Sequence, residues 1–220
     1  MKKYALKLEL QSPTLAGSGA GFGAEINTDI VFDEIGIPFI PAKRIKGCLL
    51  DAAKEVEEMF RRAEIKTDDL LIEKVFGKTG YKESAPVYFS NLFMEDYAQN
   101  KSWLDYFSKL EEYKHIIKRE RILEVFTEIR QQTEIDSDTG VASEHSLRTI
   151  RVLRKGATFL GDLQVNEQNE KIVNTLLLAC LNFRRFGTKR NRGFGEVRCS
   201  LCFEGKELSI TQTLEALCTP

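Results

Sequence analysis

The chain has 220 residues, of which 42% are hydrophobic and 30% are charged, so it carries enough apolar side chains for one sizeable core. Its formal net charge of −1 excludes a protein-wide field that would attract a polyanion, so nucleic-acid binding would require local clusters of cations. No apolar run reaches the length of a membrane-spanning helix. Five cysteines, an odd number, and the lack of a signal peptide predict reduced thiols and a cytoplasmic protein that binds no membrane.

The first part of the chain is typical of a strand followed by a loop. Apolar and charged residues alternate over residues 3–11, which predicts a strand with one solvent-facing side. The glycine-rich N-terminal loop, residues 12–23, lacks the Gly-Lys-Ser/Thr ending of a phosphate-binding P-loop, and its glycine spacing does not match a dinucleotide-binding motif. Residues 28–32 fit a short extended piece, and residues 33–36 fit a turn.

A helix is predicted to begin near Pro41, because proline is favoured at helix starts. A second, short helix is predicted from Asp68 to Val75 with Thr67 as its cap, followed by a strand over residues 87–93. Residues 97–131 are rich in charge and aromatic side chains and predict a helical insertion. In the first helix, the apolar positions recur at helical spacing and are Ile45, Leu49, Ala52, Ala53, Val56 and Phe60.

The second half of the chain begins with a polar, turn-rich stretch over residues 133–142 and a basic arm over residues 147–156. Arg148, Arg151 and Arg154 cannot share one face of a regular strand, which predicts a bulge or a partly extended arm. A strand, a helix and a strand are then predicted over residues 157–165, 169–183 and 197–203. Strands divided by helices in this order favour an α+β sandwich with a ferredoxin-like core.

The last predicted strand contains Cys199 and Cys202 at CxxC spacing. Strand alternation would point them to opposite faces, so we interpret them as packed thiols and not as zinc ligands or a redox pair.

A basic loop over residues 184–197 interleaves three glycines with arginine, lysine and phenylalanine. Glycine lets a backbone approach a ligand closely, and the cations supply phosphate donors, so the basic loop is a candidate seat for a nucleic-acid backbone. Within it we assign Arg190, Arg192 and Gly193 to RNA contact; the alternative is a solvated surface turn. Phe194 either stacks on a base or anchors the basic loop in the core.

Other cations extend this candidate RNA-binding set. Lys43, Arg44 and Lys46 flank the start of the first helix, where free N–H groups and the helix dipole favour anions. Arg148 and Arg151 of the arm are candidates for gripping an RNA duplex; the alternative is a solvated strand edge.

Three stretches together resemble the CRISPR-associated RAMP superfamily: residues 32–47, which contain Ile37-Pro38-Phe39-Ile40-Pro41-Ala42-Lys43; residues 127–156; and residues 186–195. The resemblance implies an α+β fold with a modified ferredoxin-like (RRM-like) palm, a helical insertion and a thumb hairpin. As one RAMP domain it would comprise a palm over residues 1–95 and 156–206, an insertion over about 96–131 and a thumb arm over about 132–155. It further implies a guide-RNA-binding subunit of a type III-like effector complex in antiviral defence, with target RNA and other CRISPR-associated subunits as partners.

The resemblance also implies where target RNA would be cut. The acid position in the loop after the first strand is occupied by Asn27, and an asparagine amide cannot act as a general base. Asp29 and Asp33 are the candidate catalytic substitutes, and a divalent metal such as Mg²⁺ is the candidate cofactor of a metal-dependent endoribonuclease; no set of metal ligands is assigned.

Two alternatives remain open. One is a RAMP-type endoribonuclease that processes the CRISPR RNA precursor; such enzymes usually carry a histidine in the N-terminal half, whereas no histidine precedes His115 here. The other is a ferredoxin-like protein that binds a small ligand and uses the basic loop for a nucleotide phosphate.

Overall fold

The computed structural model describes residues 2–17, 29–65, 70–77, 86–167, 169–190, 192–209 and 211. Asn27, and the predicted helix cap Thr67 with the first residues of its helix, lie outside the described residues. The elements in chain order are β1 (Lys2–Leu10), β2 (Phe39–Ile40), α1 (Ala42–Arg62), α2 (Ile72–Phe76), β3 (Val87–Phe89), β4 (Leu92–Met94), α3 (Tyr97–Ser108), α4 (Arg119–Phe126), β5 (Thr127–Gln132), β6 (Arg148–Leu153), β7 (Thr158–Val165), α5 (Glu170–Asn182), β8 (Val197–Phe203) and β9 (Lys206–Glu207).

An antiparallel sheet in the order β2-β4-β7-β1-β8-β9, with β3 also paired to β7, forms the palm. The central strand β1 pairs with β7 on one side and with β8 on the other. Helices α1 and α5 pack against each other, and most of their buried residues share one core with Tyr4, Leu6, Leu8 and Leu10 of β1. The chain order β1-α1-β3/β4-β7-α5-β8 is that of the ferredoxin-like fold, so the predicted fold class is confirmed.

Helix α1 shows why the apolar pattern was informative. Its buried residues are the six that recur at helical spacing in the sequence, so the prediction for this helix is confirmed. Pro41 is the residue before the first turn, and the Ala42 N–H, which has no partner inside the helix, donates to Asn91 Oδ1 at 2.8 Å. The amide of Asn91 therefore ties the start of α1 to the sheet.

Strand alternation also holds in β8. Cys199 is buried, whereas Cys202 is half-buried on the other side of the strand. Contact with the Cys180 thiol and burial hold the pKa of Cys199 well above its ordinary value, which is typical of a packed, unreactive thiol.

Two local predictions were wrong, and a third is decided between its two alternatives. Residues 127–131 are not helical: α4 ends at Phe126, where Thr127 Oγ1 donates to Leu123 O, and the chain continues at once as β5. The strand predicted over residues 87–93 is divided into β3 and β4 at Ser90 and Asn91. For the arm, the sequence left open a bulge or a partly extended arm. The extended alternative is observed and the bulge is not, because β5 and β6 pair in unbroken register from Thr127–Leu153 to Gln132–Arg148.

The β5–β6 hairpin and its tip, residues 133–147, form the thumb. Its base is joined to the N-terminal loop by two backbone hydrogen bonds between Thr14 and Leu153, of 3.0 and 2.9 Å. At the tip, Asp136 Oδ1 accepts the Thr139 N–H, the Thr139 hydroxyl and the Asp138 N–H, and these hydrogen bonds lower the pKa of Asp136. Among the described helices, none has the length and apolar composition that crossing a lipid bilayer requires.

Candidate nucleic-acid interface

The basic loop is held against the N-terminal loop by backbone hydrogen bonds. Gly195 N–H donates to Pro13 O at 2.9 Å, and Thr188 N–H donates to Leu15 O at 3.1 Å. Phe186, only 1% exposed, anchors the basic loop in the core. The basic loop, the N-terminal loop and the base of the thumb therefore meet in one place.

Two glycines allow close backbone approaches, one to the N-terminal loop and one within the basic loop. A Cβ on Gly187 would lie 2.4 Å from Leu15 O, and a Cβ on Gly195 would lie 2.1 Å from Phe186 O. Both residues also have positive φ, of +86° and +78°, which L side chains rarely adopt. Gly193 has the same φ of +78°, yet no atom lies within 4 Å of its Cβ position, so it serves an open turn.

A cleft of about 650 Å³, here called the thumb-side cleft, lies between the basic loop and the part of the thumb where the β5–β6 hairpin meets its tip. Lys189 Nζ donates to Gln132 Oε1 across it. Burial lowers the pKa of Lys189, and the positive charges of Arg192 and Arg148 lower it further. Its lining residues are Gln132, Thr133, Glu134, Ile135, Ser146, Arg148, Lys189 and Arg192.

These three cations are close enough to repel one another, and Glu134 is the one carboxylate among the lining residues. An anion bound between the cations would relieve that repulsion. The thumb-side cleft is therefore suited to a phosphate group.

Arg190 lies on the other side of the basic loop, although it is only two residues from Arg192. It lines a second cleft, of about 430 Å³, between the basic loop, α1 and the end of α5. We call it the helix-side cleft; its lining residues are Cys48, Asp51, Ala52, Glu55, Asn182, Phe183, Arg184, Arg185, Gly187 and Arg190. The structure thus separates two arginines that the sequence analysis assigned to one site.

The three cations at the start of α1 differ in their surroundings. Lys43 is exposed. Arg44 donates to Ala16 O at 3.0 Å and also to Gly17 O, so it fixes the N-terminal loop. Lys46 Nζ lies 5.9 Å from the centroid of the Phe89 ring. RNA contact by any of the three stays a prediction.

The remaining predicted RNA-binding residues also differ in their exposure. Arg148 is exposed in the thumb-side cleft, whereas Arg151 is buried and paired with Asp29, Nη1 to Oδ2, at 2.9 Å. Phe194 is half-buried and packs against the small cluster of Leu15, Ile150 and Val152. Stacking of a base on Phe194 stays a prediction.

Both candidate catalytic acids have other partners. Asp29 is 3% exposed and, besides the contact with Arg151, accepts the Ile30 N–H on Oδ1 at 2.8 Å. Asp33 Oδ1 accepts three backbone N–H groups of the turn that follows it, and its Oδ2 accepts the Tyr97 hydroxyl at 2.9 Å. A catalytic role for either carboxylate stays a prediction.

A metal site does not emerge from the part of the chain that the structure describes, because no three His, Cys, Asp or Glu side chains there form a group that could hold an ion. A divalent metal as cofactor stays a prediction.

Lys189 is a site residue that the sequence analysis did not assign. The cation-rich composition of the basic loop pointed to it in general terms. Its place in the thumb-side cleft depends on Gln132 of β5, which is 57 residues away in the sequence.

Comparisons with known proteins agree with this architecture. A model of the RAMP superfamily matches residues 7–198. The chain is similar in structure to a chain of type III-B Cmr-beta bound to cognate target RNA, with a TM-score of 0.65 and 16% identity over 91% of this chain and 97% of that one. It is also similar to a chain of type III-B Cmr-beta in the apo state, with a TM-score of 0.64 and 17% identity over 93% and 99%. The comparison with curated proteins gave no match.

Proposed function

This chain belongs to the RAMP superfamily, and we propose that it binds guide RNA as a subunit of a type III CRISPR effector complex in antiviral defence. The observation that carries the proposal is the convergence of Arg148, Lys189 and Arg192 on the thumb-side cleft. Two of these cations come from the basic loop and one from the thumb, so a strand bound there contacts both the basic loop and the thumb.

The chemistry of the thumb-side cleft suits a polynucleotide backbone. Guanidinium groups bind phosphate oxygens through paired N–H donors, and the ammonium of Lys189 adds a point charge between them. Each phosphate so neutralised releases counterions from the RNA, which drives binding on a chain whose net charge is only −1. The cleft supplies this attraction locally.

The likeness to a Cmr-beta chain solved with target RNA supports RNA, and other subunits of such a complex, as partners. We propose that this subunit holds guide RNA and the target paired with it, and that the neighbouring subunits continue the RNA path.

Salt-dependent RNA binding tests the proposal. The variant Lys189→Ala/Arg192→Ala removes two cations from the thumb-side cleft, and Arg61→Ala/Arg62→Ala removes two exposed cations from the far end of α1, where both contact Glu58. The first variant should weaken binding of unrelated RNA sequences alike and reduce the log–log salt slope by about 1.4, since each single-strand phosphate contact contributes about 0.7.

The matched control should keep both the affinity and the slope of the wild type. Equal RNA binding by the two folded variants would refute the proposal. Tight binding of a mononucleotide with no affinity for longer RNA would instead indicate a small-ligand protein.

A further inference from the structure

The helix-side cleft is a second cationic surface that the thumb-side cleft does not include. Arg184, Arg185 and Arg190 line it and are exposed. Within the described residues, none of these three arginines forms an ion pair with a carboxylate, although Arg185 Nη1 donates to Arg190 O at 3.4 Å. These three guanidinium groups are therefore available to bind an external anion.

This surface continues past the basic loop toward the start of α1. A neighbouring depression is lined by Pro41, Lys43, Arg44, Gly47, Cys48 and Asp51, and it shares Cys48 and Asp51 with the helix-side cleft. The charges of Arg190 and Arg44 both act on the pKa of the Cys48 thiol, which burial and Asp51 raise. Cys48 thus marks the middle of one continuous depression.

The basic loop contributes lining residues to both clefts. Arg190 lines the helix-side cleft and Arg192 lines the thumb-side cleft, and two peptide links place their Cα atoms at most about 7 Å apart. A bound strand needs only a short step to pass from one cleft to the other.

We propose that an RNA strand held in the thumb-side cleft continues around the basic loop into the helix-side cleft, where Arg184, Arg185 and Arg190 bind its phosphates. This inference rests on the proposed function and adds to it a second contact surface and a direction for the strand.

The carboxylates of the helix-side cleft fit RNA as well. Asp51 and Glu55 line it beside the arginines. A ribose 2′-hydroxyl is a hydrogen-bond donor that a carboxylate can accept, so a cleft with both charges can contact phosphates and sugars of the same strand. An acidic peptide would bring further carboxylates beside Asp51 and Glu55, and the repulsion between them would oppose its binding.

RNA length tests the path. Two RNAs are compared: a short one that fills only the thumb-side cleft and a longer one that also reaches the helix-side cleft. Each is titrated against the helix-side variant Arg184→Ala/Arg190→Ala and the thumb-side variant Lys189→Ala/Arg192→Ala. Both variants lose two positive charges, and Arg61→Ala/Arg62→Ala is the matched control. We expect the helix-side variant to weaken binding of the longer RNA alone and to reduce its salt slope by about 1.4. The thumb-side variant should weaken binding of both RNAs.

Chemical labelling of Cys48 gives a readout that does not depend on affinity. In a chain carrying Cys202→Ser and Cys218→Ser, the remaining thiols besides Cys48 are Cys180 and Cys199, which are buried. The longer RNA should slow alkylation of Cys48, whereas the short RNA should leave its rate unchanged.

The outcomes separate this inference from the proposed function. If the thumb-side variant weakens binding of both RNAs and the helix-side variant affects neither, the inference is overturned and the proposed function stands. If no variant alters RNA binding, both fall. If poly-glutamate protects Cys48 and the longer RNA does not, the helix-side cleft is a protein-binding surface and the inference is overturned.

Discussion

Arg151 and Asp29 form a buried ion pair across 122 residues of sequence, with Nη1 and Oδ2 2.9 Å apart. The two side chains are 10% and 5% exposed. The pair joins strand β6 of the thumb to the segment that leads from the N-terminal loop to α1. It thereby fixes the position of the thumb relative to this segment.

Removing one partner of this pair should destabilise the protein strongly. Asp29→Ala removes the carboxylate that the buried Arg151 guanidinium contacts at 2.9 Å, and breaking a buried ion pair from one side should lower the free energy of unfolding by about 3–5 kcal/mol. Urea denaturation measures this change. Asp138→Ala, at the exposed thumb tip, should cost less than about 0.5 kcal/mol.

The double variant Asp29→Ala/Arg151→Ala provides the thermodynamic cycle. Because each single variant already breaks the contact between Arg151 and Asp29, the loss of stability in the double variant should be clearly smaller than the sum of the two single losses. Additive losses would contradict a direct interaction between the two residues.

Two glycines of the basic loop offer a matched comparison of steric conflict and backbone strain. Gly193 and Gly195 share a φ of +78°, but only at Gly195 would a Cβ meet another atom, Phe186 O at 2.1 Å. An alanine at either position bears the left-handed strain of about 1–2 kcal/mol. Gly195→Ala must in addition move the basic loop, so its melting temperature should be clearly the lower of the two, and its RNA affinity should fall more. Equal effects would show that the close approach at Gly195 is unimportant.

The lowered pKa of Lys189 predicts that RNA binding depends on pH. Burial lowers its pKa, and the positive charges of Arg192 and Arg148 lower it further, whereas the pKa of an ordinary lysine is about 10.4. As the pH rises toward that value, Lys189 of the free protein loses its proton before ordinary lysines do, and the affinity for RNA should fall. Lys189→Arg keeps its charge and should hold its affinity to higher pH. Superimposable pH profiles would contradict this role.

The stability of the folded protein should change with rising pH in the opposite direction to the RNA affinity. A lysine whose pKa is lower in the folded than in the unfolded chain destabilises the fold while it is protonated. That destabilisation is present at neutral pH and is lost as the pH rises through the lowered pKa. The contribution of Lys189 to stability and its contribution to RNA binding therefore have opposite signs.

The thumb predicts a defined pattern of proteolysis. Its tip, residues 133–147, is mostly exposed, whereas Ile150, Val152 and Leu153 of β6 are buried at 2% exposure or less. Limited digestion of the free protein should cut within the tip and spare β6, and RNA in the thumb-side cleft should slow cutting next to Arg148. Cutting within β6 at the same rate as in the tip would contradict this arrangement.

Local periodicity explains which elements could be predicted from the sequence. β1, α1, β7, α5 and β8 each carry a full set of apolar residues at the spacing of their own element, and all five were predicted. β5 was missed because no glycine or proline separates it from α4, and its strand character comes from pairing with β6.

The site was predicted in composition but not in arrangement. Arg151 is one of several arginines along the arm, and only its distant partner Asp29 shows that it is structural. Similarly, Arg190 and Arg192 are equivalent in the sequence, and the turn of the basic loop between them decides which cleft each one lines. Contacts between residues far apart in the chain leave no local pattern.

The last prediction is that this subunit holds target RNA without cutting it. In-line attack on a phosphodiester needs a general base near the 2′-hydroxyl or a metal held by carboxylates. Asn27 supplies neither, because its amide is neutral and cannot accept a proton at working pH.

The two nearby carboxylates are engaged in the fold. Asp29 uses one oxygen for Ile30 N–H and the other for Arg151, and it is 3% exposed. Asp33 uses one oxygen for its own turn and the other for Tyr97, with Lys101 Nζ 3.8 Å away. Freeing either carboxylate for catalysis would break these contacts at a cost comparable to the loss of the buried ion pair.

The measurement is cleavage of a complementary target by a guide-loaded assembly that contains this subunit, with and without Mg²⁺. We expect no cutting beside the wild-type subunit and metal-dependent cutting beside Asn27→Asp, which restores a carboxylate at that position. Asp33→Asn, which keeps the size of the side chain, controls for changes in the turn. Metal-dependent cutting by the wild type that Asp29→Asn abolishes, while RNA affinity and melting temperature are retained, would identify Asp29 as the active acid and contradict the prediction.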